Sequence, residues 1–181
     1  YHGAYGKFGH SPVLVANVAL TNWRFLERLG VSAAIWPEGF GFTCNIRRPM
    51  IIGGKSQPLH PDKPIVLTFY APIFKPGLER KQQGAVGRAE LLSTSFTDYE
   101  RQIREQMTIM FSSGGFDPVK DIAGIILNRW GHAYVNPDLG FMFGADGNMA
   151  PPDIIRQPYG RIAIGHSELR GHQYWSGAAG E

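Results

Sequence analysis

Apolar residues fall on every second position at Phe40, Phe42, Cys44 and Ile46, and a spacing of two is what a strand with one buried and one wet face requires. A helix would need three- and four-residue spacing, so this stretch confines its part of the chain to an antiparallel sheet, the kind that can leave one face to water. Two further segments agree with it. Ser11–Leu20 (SPVLVANVAL) and Ile65–Tyr70 (IVLTFY) are β-branched and aromatic, as strands are. Arg47, Arg48 and Pro49 break the alternating strand before Met50–Ile52, and Gly53 and Gly54 mark a turn.

Helical signals are fewer. Thr21 or Asn22 can cap a short helix through Leu29 that stops at Gly30, with Trp23, Leu26 and Leu29 on the side that packs on the sheet. Thr97 followed by Glu100 forms a capping box. Tyr99, Ile103, Met107, Met110 and Phe111 then recur at helical spacing until Gly114, which makes the two methionines core residues. Between these helices, Ala71–Ser95 is rich in Pro, Gly, Lys and Gln with no sustained period, so a long, partly mobile connection is expected there. The predicted fold class is α+β, mainly antiparallel sheet with a few helices.

The last third of the chain changes character. Ile122–Leu127 is a nearly continuous apolar run, the pattern of a strand buried on both faces; it delivers Trp130, His132 and Tyr134 at its far end. A second strand is expected at Arg161–Ile164, after the turn-forming Pro158, Tyr159 and Gly160 and before Gly165. Ser176, Gly177, Ala178 and Ala179 then read as an N-cap and first turn of a helix, where backbone N–H groups can meet an electron-rich ligand.

These segments carry a resemblance. RQPYGRIAIGHSEL, HQYWSGAAGE and NRWGHAY are similar to the C-terminal part of the FAD-dependent amine oxidase family, most of all to bacterial spermidine dehydrogenase-like flavoproteins. The resemblance implies that Glu168, just past the turn at Gly165, hydrogen-bonds the ribityl chain of FAD. It implies that Tyr134 and Tyr174 form the two walls of an aromatic cage. It also implies that Trp175, Ser176, Gly177 and Ala178 approach the flavin at a helix start, with Trp130 in the matching strand-end motif. Members with a covalently held flavin carry a Cys before the first cage tyrosine; here that residue is Ala133, which implies non-covalent FAD. The implied reaction is oxidation of an amine, a polyamine among the candidates, by hydride transfer to flavin N5. No lysine of the kind that many members carry on a substrate-domain strand can be placed, so an oxidase and a dehydrogenase both stay open. On the same scaffold a flavin desaturase or oxidase of a non-amine substrate is the alternative enzyme, and a non-catalytic binding module the alternative outside enzymes.

Boundaries follow from this comparison. A chain of 181 residues with 43% hydrophobic composition can bury a sizeable core. The expected division is a substrate-binding portion over 1–134 and the C-terminal portion of an FAD-binding domain over 135–181. No dinucleotide-binding glycine fingerprint follows a strand; Gly84, Ala85, Val86 and Gly87 have the wrong spacing and read as loop. The chain therefore reads as a fragment whose partner is the missing N-terminal half of the same polypeptide. The formal net charge of +3 is mild and scattered, which gives no basis for a nucleic-acid partner. No apolar run approaches the length of a transmembrane helix. His132, His166 and His172 lack metal-ligand spacing, so no metal is expected, and the single Cys44 reads as a small buried hydrophobe.

Overall fold

A computed structural model describes residues 1–41, 43–47, 51–56 and 58–171. The described elements run α1 (His2–Tyr5), β1 (Val13–Leu20), α2 (Arg24–Leu29), β2 (Ala33–Ile35), β3 (Thr43–Arg47), β4 (Ile65–Pro72), α3 (Arg80–Ser93), α4 (Phe96–Phe111), β5 (Ile122–Trp130) and α5 (Pro151–Arg156), with short 3-10 turns at Ser112–Gly114 and Ser167–Arg170. The class is α+β with an antiparallel five-stranded sheet in the order β2-β3-β4-β1-β5. The register is fixed where the alternation is cleanest: Cys44 lies opposite Phe69 and Ala34, and Asn45 opposite Thr68. Among the described residues no helix is long and apolar enough to cross a membrane.

Two compact units share the chain. The first comprises Leu14–Pro72 and Leu92–Trp130 and holds the sheet. Every second residue of β1 and β4 (Ala16, Val18 and Leu20; Ile65, Leu67 and Phe69) enters one core with Phe25 and Leu26 of α2 and Ile103, Met107 and Phe111 of α4. That is a period of two meeting a helical period. Helix α4 begins two residues earlier than its sequence suggests. Ser95 is the N-cap, and its Oγ accepts a hydrogen bond from Asp98 N at 3.1 Å while donating to the Asp98 carboxylate at 2.6 Å, a reciprocal arrangement that the Thr97–Glu100 pair had promised instead. The buried Gln106 of α4 accepts from Phe40 N at 3.0 Å, and a Cβ on Gly39 (φ +85°) would sit 2.1 Å from its Oε1. That loop therefore needs glycine for both space and conformation.

Strand β5 departs from the expected strand buried on both faces. It is an edge strand next to β1 alone, and Ile126 is 66% exposed. Cys44 is buried as expected, and burial pushes its thiol from 9.0 up to about 12. Two outcomes follow. A thiol reagent at neutral pH should modify Cys44 only after denaturation, since the thiolate is the reactive form. Because the folded value is raised, the thiol's contribution to stability is complete below pH 9.0 and is lost as pH rises toward about 12. Labelling of the folded chain as fast as of the unfolded one would contradict the first.

The second unit comprises Tyr1–Val13, Ile73–Leu91 and the stretch from Gly131 onward. Its small core joins Ala4 of α1, Ile155 of α5 and Leu169, with Phe8, Ile154 and Ile164 packed against them. Phe8 meets the buried Phe141 edge to face at 4.9 Å. The mobile connection expected at 71–95 is corrected: it contains α3, fourteen residues long. Its buried positions are Gly84, Gly87 and Leu91, a helical spacing whose first two members have no side chain to reveal it. The strand expected at Arg161–Ile164 is also absent; Tyr159 and Ile162 form a single bridge across Gly160, and Ile162 is exposed.

Candidate functional site

The site in the second unit is built around the segment Gly9–Ser11, just before β1. A Cβ on Gly84 would lie 2.4 Å from His10 O, and one on Gly87 would lie 2.8 Å from Pro12 Cγ. The two glycines of α3 thus form a notch that admits this backbone, which accounts for residues that a helix otherwise disfavours. One turn along, Arg88 donates from Nη1 to His10 O at 3.4 Å.

On its other edge the segment pairs with the chain beyond β5. His10 and Val135 form an antiparallel bridge, Ser11 N donates to Tyr134 O at 2.9 Å and Asn136 N donates to Gly9 O at 2.7 Å. The Asn136 side chain adds a bond from Nδ2 to Ser11 Oγ at 3.3 Å and accepts from Arg80 at 3.4 Å. The Ala133–Tyr134 peptide is cis, and Tyr134 is 42% exposed.

The His10 ring completes the arrangement. Its Nε2 lies 3.0 Å and 2.9 Å from the two carboxylate oxygens of Glu168, so one N–H is shared across the carboxylate. The two side chains are 23% and 20% exposed. Glu168 enters from the 3-10 turn Ser167–Arg170, whose N-cap is His166: His166 Nδ1 accepts from Glu168 N at 3.2 Å and lies 3.9 Å from Glu168 Oε2. The His132 ring stands edge-on to His10 at 5.7 Å. Leu169 is buried, and its carbonyl accepts from Arg156 Nη2 at 2.7 Å, which fixes the turn to α5. Among the described residues, no three His, Cys, Asp or Glu side chains are placed to hold a metal ion.

Of the expected site residues, Tyr134 and Glu168 are therefore held by one segment. Gly165 lies in the exposed stretch immediately before His166. Trp130 ends β5, 55% exposed, and belongs to the sheet unit. Tyr174, Trp175, Ser176, Gly177 and Ala178 lie outside the described residues, as does His172.

His10, Ser11, Gly84 and Arg88 were not legible as site residues. One signal was present: the tripeptide Gly-His-Ser occurs at 9–11 and again at 165–167, and both of its histidines contact Glu168. What the arrangement offers chemically is a half-buried carboxylate, oriented by a histidine N–H, with lone pairs left over, and a partly exposed tyrosine whose backbone is held by the same segment. Neither a protein-family model nor a curated protein matches this chain.

Proposed function

We propose that the chain is the C-terminal portion of an FAD-dependent amine oxidoreductase, joining part of its substrate-binding domain to the segment that touches the flavin. One observation carries the reading. Tyr134 and Glu168, which the motif resemblance singles out for substrate and cofactor, are 34 positions apart (168 minus 134), and both are held by the neighbouring residues His10 and Ser11.

Glu168 has the acceptor capacity that the group would need. A carboxylate offers about four lone-pair sites, and a single shared N–H from His10 leaves Glu168 able to accept a ribityl hydroxyl. Gly165, Trp175, Ser176, Gly177 and Ala178 would complete the contacts, the Gly177 and Ala178 N–H groups donating to negative charge on the flavin. When bound non-covalently, FAD would supply the redox chemistry, the acceptance of a hydride. This chain's own residues orient and shield: Tyr134 and Tyr174 would flank the substrate so that the carbon beside an unprotonated amine nitrogen faces the acceptor, and aromatic faces suit a nitrogen-bearing substrate. The resulting imine hydrolyses afterwards.

The complete polypeptide should purify yellow and release all its flavin into the supernatant on acid precipitation, since Ala133 has no sulfur for a thioether. The 181 residues alone should be colourless, because they lack a dinucleotide-binding fingerprint. Colour left in the acid pellet would contradict non-covalent attachment. Stoichiometric FAD on the 181-residue chain after gel filtration would contradict the division of the cofactor site.

A further inference from the structure

In the sheet unit, β4 sends Ile65, Leu67 and Phe69 into the core beneath α4, so Val66, Thr68 and Tyr70 point to the opposite face. A polar row crosses that face. Asn45 of β3 lies opposite Thr68. Thr68 Oγ1 donates to Asn17 Oδ1 of β1 at 2.7 Å. Arg47 reaches over the row from β3, donating from Nε to Thr68 Oγ1 at 2.9 Å and from Nη2 to the Tyr70 hydroxyl at 2.5 Å, with its guanidinium 5.8 Å from the Tyr70 ring centre. Thr68 is fully buried and the two asparagines half-buried.

Asparagine is depleted in strands, and the bonds on this face leave an unequal remainder. Among the described residues, Asn17 has its oxygen occupied and both N–H groups unused. The Asn45 carboxamide bonds to no described residue, and Arg47 keeps the whole Nη1 edge. No Asp or Glu of the described residues lies within ion-pair distance of Arg47. The row thus presents a surplus of donors and one positive charge whose orientation Thr68 and Tyr70 already fix. The planar guanidinium fork matches a planar, singly charged acceptor.

We propose that this row binds the carboxylate of a small organic acid, Arg47 pairing with the charge and the Asn45 and Asn17 amides taking up its oxygens. The proposal stands on the sheet unit alone and does not need the flavin reading.

The test is titration of the 181-residue chain with sodium acetate, followed by NMR at the Arg47 Nε–H and the Asn17 and Asn45 side-chain amides, against sodium chloride and sodium phosphate at matched ionic strength. Saturable shifts with acetate alone are expected. In Arg47→Gln they should weaken by about tenfold or more, the scale of one lost charge-assisted contact. Asn45→Thr places a better strand former at that position and secures a folded variant; it too should weaken acetate binding while circular dichroism stays unchanged. Shifts that follow ionic strength whatever the anion would overturn the proposal, as would undiminished acetate binding in folded Arg47→Gln or Asn45→Thr. None of these outcomes bears on flavin content, so the two proposals fail separately.

Discussion

Replacing Glu168 by alanine in the complete polypeptide should lower FAD retention by roughly 10- to 100-fold, the equivalent of about 1.5–3 kcal/mol for a hydrogen bond to a charged group. The same change leaves the His10 N–H, shared at 2.9 Å and 3.0 Å, with no acceptor in a half-buried setting. It should therefore also cost the second unit about 1–3 kcal/mol. Glu168→Gln separates the two effects: its carbonyl still accepts from His10, so stability should stay near normal while FAD retention falls. Thermal melting and flavin absorbance, measured on both variants, check this. Normal flavin content in folded Glu168→Gln would remove Glu168 from the cofactor site and leave it a structural partner of His10.

The largest stability effect lies in the sheet unit. Phe69 is fully buried in β4, opposite Cys44 and edge-on to Trp36 at 5.8 Å. It shares one core with Leu67 and Ile65 of the same strand and with Ile103 and Met107 of α4, all buried. Phe69→Ala should cost about 3–5 kcal/mol, the transfer of the ring plus the cavity it leaves. Urea titration followed by circular dichroism would report the loss, and a change below about 1 kcal/mol would mean that the packing around β4 relaxes far more than close-packed interiors do.

Legibility in the sequence followed the kind of signal each element gave. Strand β3 and helix α4 announced themselves because apolar side chains mark their periods, two in the strand and three to four in the helix, and β1 and β4 through their β-branched and aromatic composition. Helix α3 did not, since its contact face consists of Gly84, Gly87 and Leu91 and a glycine notch has no hydropathy. Strand β5 was visible as a run but not as an edge, because which strand sits outermost is a property of the whole sheet. RIAI at 161–164 had strand composition, yet Gly160 and the Tyr159–Ile162 bridge turn the chain back before a ladder can extend. At the candidate site, the motif resemblance singled out Tyr134 and Glu168 but not His10. Its role exists only because the notch in α3 and the bridge to Val135 set it opposite Glu168, an encounter across 158 positions.

The proposed function sets Tyr134 beside a flavin that an amine reduces. Its most direct test is the anaerobic addition of amines, polyamines and amino acids to the complete polypeptide, watched through the flavin absorbance, for the natural chain and Tyr134→Ala. At least one of these should bleach the flavin, and Tyr134→Ala should slow the bleaching while flavin content and melting temperature stay nearly the same, because the change removes orientation rather than core. A flavin that no amine reduces, or one reduced at the natural rate in Tyr134→Ala, would contradict it.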